Sequence, residues 1–158
     1  MPKAHHISHY WYFGYGSEIN EHILIEMDLA VHQAMKAFLS DYRLVFTNPS
    51  PTRPGGGMPD LLYSTGSIVE GMLYEVDDQG ISILDAYYRV GHMIYRRKSI
   101  EVVAEDGMTL PAAVYVGCRS QVGLLPLRSD WVAMVEGAKK RGMSSSYIQE
   151  LTAFQCVE

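Results

Sequence analysis

The run Tyr-Phe-Gly-Tyr-Gly-Ser at residues 12–17 constrains the fold of this chain more than any other segment. Its aromatic residues favour a β-strand, and its glycines and serine end that strand. Glycine adopts backbone angles closed to other residues and lets a ligand approach the main chain. We therefore expect a strand whose end points several backbone N–H groups at an anion or an oxyanion.

Length and composition are those of one folded domain over residues 1–158. Hydrophobic residues make up 47% of the chain and charged residues 20%, which is enough to bury a sizeable core. The net charge of -5 comes without a long basic stretch, which argues against nucleic acid as a partner. No apolar run approaches the ~20 residues that span a bilayer. Since the N-terminus also lacks a signal-peptide pattern, we expect a cytoplasmic protein that does not bind membranes.

Cysteine and histidine do not form a metal-binding pattern in the sequence. Cys118 and Cys156 are too few for a disulfide framework and have no metal-type spacing. His5, His6 and His9 cluster near the N-terminus, but they have no cysteine or acidic partner at ligand spacing. We expect a solvated terminus there, and neither a metal nor an organic cofactor.

Residue patterns predict strands through most of the chain and helices at its end. We predict strands over 10–15, 42–47, 60–64, 67–76, 92–105 and 109–118, and helices over 20–29, 77–85, 127–141 and 144–154. Over residues 30–41 helix and strand are hard to separate, since both periods fit partly. Because strands dominate the middle and long helices come last, the fold class is α+β with a mostly antiparallel, barrel-like sheet.

Residues 48–59 form the longest predicted break, with four prolines and three consecutive glycines. Two interpretations of the 49–59 loop stay open. It can be a lid that covers a nearby cleft, or a mobile excursion on the surface. The Thr65-Gly66 pair predicts a turn between two further strands.

Four segments, in order, resemble motifs of the gamma-glutamylcyclotransferase-like family (the avirulence-induced-gene-like fold). Residues 12–18 resemble the family's Tyr-Phe-Ala-Tyr-Gly-Ser-Asn, and residues 71–74 its Gly-Val-Leu-Tyr strand. Residues 84–88, followed by Tyr95, resemble Leu-Asp-x-x-Glu-Gly and the Tyr-containing strand after it. Residues 137–147 resemble Gly-Ala-Lys…Gly-Leu-Pro…Tyr. The resemblance implies a small mixed, mostly antiparallel β-barrel with flanking helices and two C-terminal helices.

The resemblance also implies a chemistry. In the family, the backbone of the Tyr-Gly-Ser turn holds a γ-glutamyl group or 5-oxoproline. The substrate's α-amine attacks its own γ-carbonyl, which closes the lactam and releases the attached amine. The family's glutamate takes the proton that makes this amine nucleophilic. This chain is thus expected to bind a γ-glutamyl or other carboxylated small molecule as a cofactor-independent transferase or lyase; a homodimer is left open.

Two residues differ from the family's motifs. Tyr88 stands at the place of the catalytic glutamate, and a phenol, with an ordinary pKa near ~10, is a poor base at neutral pH. Glu18 stands at the place of the asparagine after Gly-Ser. In one interpretation, catalysis is lost and the pocket only binds a carboxylated ligand. In another, Glu18 is the base and Tyr88 an orienting hydroxyl; in a third, a neighbouring cation ionises Tyr88.

By the same resemblance, a set of aromatic and turn residues is expected to bind substrate. They are Tyr12, Phe13, Gly14, Tyr15, Gly16, Ser17 and Tyr95, together with either Asp130 or Trp131 at the start of the first closing helix. We favour Trp131, because an acid at this place would repel a substrate carboxylate.

Overall fold

The structure is a computed structural model, and it describes residues 7–157. The strands in this range are β1 His9–Gly14, β2 Gln33–Pro49, β3 Gly56–Asp77, β4 Tyr95–Ala104, β5 Thr109–Gly117 and β6 Leu125–Pro126. The α-helices are α1 Glu21–Glu26, α2 Asp78–Tyr87, α3 Arg128–Arg141 and α4 Ser145–Thr152. Short 3-10 helices cover Ser17–Ile19 and Val90–His92.

Five strands close into a barrel in the order β1-β5-β4-β2-β3, because β3 also pairs with β1. The β1–β5 pairing is parallel, and the other barrel pairings are antiparallel. The short strand β6 adds to the start of β3 in parallel. The prediction of an α+β fold with a mostly antiparallel barrel and two C-terminal helices is confirmed.

Large buried aromatic side chains fix the position of β1 in the barrel sheet. Tyr12 and Tyr74 face each other across the β1–β3 pair, and both are fully buried together with Phe13. Tyr115 of β5 packs edge-on against Tyr12, with the ring centroids 5.8 Å apart. Full burial of a side chain such as Phe13 contributes about 1.5–3 kcal/mol. The turn that follows Gly14 is therefore attached to a well-packed strand.

The strands β2 and β3 are longer than the sequence predicts. The ambiguous segment 30–41 is mostly strand, since β2 begins at Gln33. The strands predicted over 60–64 and 67–76 are one strand, because Gly66 lies in a bulge and not in a hairpin turn. Its N–H donates to Asp41 Oδ1 at 3.0 Å, and the β2–β3 pairing continues on both sides.

The break predicted over 48–59 is shorter than expected. Pro49 ends β2 and pairs with Gly57 of β3, so only residues 50–55 lie outside the strands. Pro59 lies opposite a register shift in β2, where its missing N–H removes no ladder hydrogen bond. Ser50 Oγ accepts the N–H of Arg53 at 3.2 Å and so helps to fix the connection.

The ends of α2, α3 and α4 lie at residues that the sequence predicted as helix ends. Asp77 begins α2 by accepting the Gly80 N–H at 2.9 Å, and Ser144 begins α4 by accepting the Tyr147 N–H at 3.2 Å. Gly142 ends α3 in the left-handed conformation that glycine favours. In the part of the chain that is described, no helix is long and apolar enough to cross a membrane.

Candidate active site

A cavity of about 240 Å³ opens where β1 ends. The turn after β1, the C-terminal end of α2, the start of β4, the connection between β2 and β3, and the first turn of α3 surround it. Its volume lies below the roughly 300–1,000 Å³ of sites for drug-sized ligands. The cavity therefore suits a small metabolite.

The Glu18 side chain lies inside this cavity, although only 3% of the residue is exposed. The 3-10 helix that contains it turns the side chain back, and Oε1 accepts the Gly16 N–H at 2.8 Å. A Cβ on Gly14 would lie 2.9 Å from Glu18 Cγ, and one on Gly16 would lie 3.0 Å from Oε2. The two glycines thus leave the space that the carboxylate occupies. Glu18 is not a solvated loop residue.

The backbone around Glu18 is fixed from two sides. Tyr74 donates its hydroxyl to the Glu18 carbonyl at 2.7 Å. Arg141 of α3 donates from Nε to the Ile19 carbonyl at 3.1 Å and from Nη2 to the Tyr74 hydroxyl at 3.2 Å. These bonds connect the turn to β3 and to α3, so the carboxylate is held by the barrel and not by a free loop.

Tyr88 follows the last residue of α2 and lines the cavity. Its ring stacks on that of Tyr115 with centroids 4.2 Å apart, and its hydroxyl lies 2.6 Å from that of Tyr12. Burial, and then the charge of Glu18, raise the pKa of Tyr88 well above its ordinary value. The phenol therefore stays neutral at physiological pH and can donate or accept a hydrogen bond, but it is not a base.

One of the arginines that follow Tyr88 in the sequence has another partner. Arg97 Nη1 lies 2.6 Å from Asp85 Oδ2, and Asp85 Oδ1 accepts the Tyr115 hydroxyl at 2.7 Å. These contacts orient the ring on which Tyr88 stacks. They provide no cation at the Tyr88 hydroxyl, which argues against the ionised form.

The first turn of α3 presents Asp130 to the cavity, and not Trp131 as the sequence led us to expect. The indole N–H of Trp131 donates to the Leu151 carbonyl at 2.7 Å, so this ring faces α4. Successive helical residues differ by about 100° in direction, and a slip of one residue in the sequence match exchanges the two side chains. An acid therefore stands where we predicted an aromatic wall.

The other predicted site residues fall into two groups. Tyr15, Gly16, Ser17 and Tyr95 line the cavity. Tyr12, Phe13 and Gly14 do not line it; they form the layer behind the wall, where the two aromatic rings are fully buried.

Several further lining residues were not among the predicted substrate-binding residues, and they include residues of the connection between β2 and β3. Tyr87, whose hydroxyl lies 3.4 Å from Ser17 Oγ, and Arg89 flank Tyr88 in the sequence. Their position at the end of a predicted helix could have identified them, because the chain turns there and neighbouring side chains can reach the same cavity.

The predicted histidine cluster is only partly within the described residues. His5 and His6 lie outside them. His9 begins β1, and its Nδ1 lies 3.7 Å from Glu75 Oε1, with both side chains partly exposed. It takes no part in the cavity.

A barrel of this topology, with a cavity beside a Tyr-Gly-Ser turn, defines the class of protein that the motifs suggested. The family model described as "Gamma-glutamyl cyclotransferase, AIG2-like" matches residues 12–133. The chain therefore belongs to the gamma-glutamyl cyclotransferase, AIG2-like family. No protein with curated annotation gave a significant match to the sequence.

Solved structures share the fold at low sequence identity. A solved structure of a gamma-glutamyl cyclotransferase is 22% identical, with a TM-score of 0.84 over 96% of this chain and 90% of that protein. An uncharacterized protein from Homo sapiens is 23% identical, with a TM-score of 0.82 over 95% and 90%. YkqA from Bacillus subtilis is 20% identical, with a TM-score of 0.83 over 95% of this chain and 56% of that protein. At these identities the similarity shows the fold alone.

The backbone at Arg89 gives a testable link between the family motif and stability. Arg89 has a φ of 51° in the left-handed region, at the place of the glycine in Leu-Asp-x-x-Glu-Gly. Because glycine reaches this region without a Cβ penalty, Arg89→Gly should raise the free energy of unfolding by up to about 1 kcal/mol in urea unfolding. Arg96→Gly, in the exposed part of β4, is the control and should lower it by roughly 0.5–1 kcal/mol. Equal losses in both variants would contradict the prediction.

Proposed function

We propose that this protein is a γ-glutamyl cyclotransferase in which Glu18 carries the proton that the family's glutamate carries elsewhere. The single observation that supports this proposal is the buried Glu18 carboxylate in the cavity beside Gly16. The substrate is a γ-glutamyl amine or amino acid, and the products are 5-oxoproline and the free amine.

The proposed reaction balances without a cofactor. Glu18 takes a proton from the substrate's α-ammonium, since an ammonium nitrogen has no lone pair for attack. The freed amine attacks the γ-carbonyl carbon, a new N–C bond closes the five-membered ring, and the old C–N bond breaks. Glu18 passes this proton, and then the second proton that the ring nitrogen loses after the attack, to the leaving nitrogen. The lactam keeps one of the three original protons, and the released ammonium receives the other two.

The position of the Glu18 carboxylate suits this role. Oε1 is already bonded to the Gly16 N–H, which fixes the plane of the carboxylate and leaves Oε2 for the substrate amine. The same bond means that the Gly16 amide has an anionic partner from the chain itself. We infer that this end of the cavity receives the ammonium group of the substrate and not its carboxylate.

Tyr88 takes the part of a neutral hydroxyl in this proposal. Its raised pKa keeps the proton on the oxygen, and the Tyr12 hydroxyl at 2.6 Å holds that oxygen in place. A fixed O–H group can donate to the carbonyl oxygen as negative charge develops there. Tyr88 thereby orients the substrate, while Glu18 moves the proton.

The decisive experiment is an assay of the native protein with γ-glutamyl-butylamide. We expect equal amounts of 5-oxoproline and butylamine, measured by mass spectrometry. The control is the same compound with an acetylated α-amine, which has the γ-carbonyl but no nucleophile and should release nothing. The absence of product from the free-amine compound at high protein concentration would reject the proposal.

The same assay tests the alternative of a binding protein without catalysis, which the neutral Tyr88 favours. If no product forms but 5-oxoproline raises the melting temperature of the protein, the cavity binds a small acid without cyclising its precursor. A cavity that contains both Glu18 and Asp130 is a poor electrostatic match for such an acid. We therefore do not expect 5-oxoproline to raise the melting temperature in the absence of turnover.

A further inference from the structure

Charged side chains in the cavity are few and unevenly distributed. Among the described residues that line it, the carboxyl groups are those of Glu18 and Asp130, and the guanidinium of Arg89 supplies the positive charge. With both acids ionised, the lining carries one net negative charge. A ligand that fills the cavity is therefore favoured when it brings one net positive charge.

We propose that Asp130 selects γ-glutamyl compounds whose leaving amine carries a second, positively charged group. This inference rests on the proposed function, because it assigns Glu18 to the α-amine of the γ-glutamyl part. Arg89, exposed and adjacent to Tyr88, is then the partner for the α-carboxylate. Asp130 remains for the rest of the molecule.

Asp130 is placed where its carboxylate interacts with that of Glu18. It lies in the first turn of α3 and is partly buried, and burial followed by the charge of Glu18 raises its pKa. Burial and the charges of Glu18 and Asp130 raise the pKa of Tyr87 to about 12. Tyr87 and Asp130 both line the cavity, so the Asp130 carboxylate acts on other groups of the lining. A cation bound beside Asp130 would offset its repulsion with Glu18.

Ligand charges divide the two substrate classes of the proposed reaction. A γ-glutamyl amino acid has two carboxylates and one ammonium, so it is negative, like the lining of the cavity. A γ-glutamyl diamine has one carboxylate and two ammonium groups, so it is positive. Reversing one charge beside a partly buried carboxylate changes affinity by about 10- to 100-fold. The cavity therefore favours the diamine class.

The test compares three amides of similar length on the native protein: the γ-glutamyl amides of 1,4-diaminobutane, butylamine and 4-aminobutanoate. They end in an ammonium, a methyl and a carboxylate. We expect kcat/KM for 5-oxoproline release to fall in that order, by about 10-fold or more between the first and the last. Asp130→Asn should remove most of this order. Glu136→Gln, which deletes an exposed acid on the same helix outside the cavity, should preserve it.

Each result decides one of the two claims. If the three amides are turned over without the expected order of kcat/KM, selection by Asp130 is overturned and the cyclotransferase proposal stays intact. The same holds if the order persists in Asp130→Asn. If nothing is turned over, calorimetric affinities for the same amides decide. If the affinities fall in the expected order and Asp130→Asn abolishes that order, selection by Asp130 is supported although the activity proposal fails. Equal affinities, or no binding, overturn the selection. Asp130→Ser is the second variant if Asp130→Asn unfolds.

Discussion

Glu18→Gln should lower kcat for 5-oxoproline release by about 100- to 10,000-fold. Glutamine has nearly the same size as glutamate, and its amide oxygen can still accept the Gly16 N–H that Oε1 accepts in the native chain. The variant therefore keeps the geometry of the turn but cannot accept a proton from the α-ammonium. Initial rates on γ-glutamyl-butylamide at saturating concentration measure the effect.

Controls separate the proton carrier from the fold. Glu101→Gln, at an exposed position of β4, should leave kcat unchanged. Glu18→Asp keeps a carboxylate, so it should retain more activity than Glu18→Gln. Tyr88→Phe should cost less than Glu18→Gln, because the phenol supplies a hydrogen bond and no base. Equal turnover by native protein and Glu18→Gln would rule out Glu18 as the proton carrier.

Gly71→Ala should lower the free energy of unfolding by about 3 kcal/mol. A Cβ at this position would lie 2.5 Å from the Gly14 carbonyl oxygen and 2.8 Å from the Phe13 ring. Both belong to β1, whose backbone is held by pairing with β3, so neither can move far. The barrel must then separate at the strand pair that closes it. Urea unfolding followed by circular dichroism measures the change.

Gly91→Ala is the matched control for this prediction. No heavy atom lies within 4 Å of a Cβ built there, and its φ is not in the left-handed region. The same methyl group should therefore change the free energy of unfolding by less than about 0.5 kcal/mol. Similar losses in Gly71→Ala and Gly91→Ala would show that the close approach of β1 and β3 is not what requires glycine at residue 71.

The sequence predicted the helix ends correctly where a residue and its near neighbours in the chain determine them. Asp77, Gly142 and Ser144 mark helix ends by their own hydrogen bonds or backbone angles, and the structure places helix ends there. Gly66 shows where such signals fail. Its left-handed backbone looks like a turn in the sequence, but the Asp41 carboxylate, 25 residues earlier, accepts its N–H and makes it a bulge.

The candidate site shows the same division. Residues 15–18 and Tyr88 could be assigned to it because they follow one another in short motifs of a known family. The sequence favoured Trp131 over Asp130, and the structure places Asp130 at the cavity, because the choice depends on how α3 is rotated about its axis. That rotation is set by contacts such as the Trp131 indole with Leu151 of α4.

By itself, the sequence determined the family, the class of barrel and the turn that borders the cavity, because each is encoded by neighbouring residues. Only the tertiary structure decided that Glu18 is buried in the cavity with its carboxylate on Gly16, and that Asp130 joins it there. The physical reason is that the burial of a carboxylate depends on partners far away in the chain. Tyr74 and Arg141 are those partners, and their hydrogen bonds exist only when β3 and α3 pack against the turn.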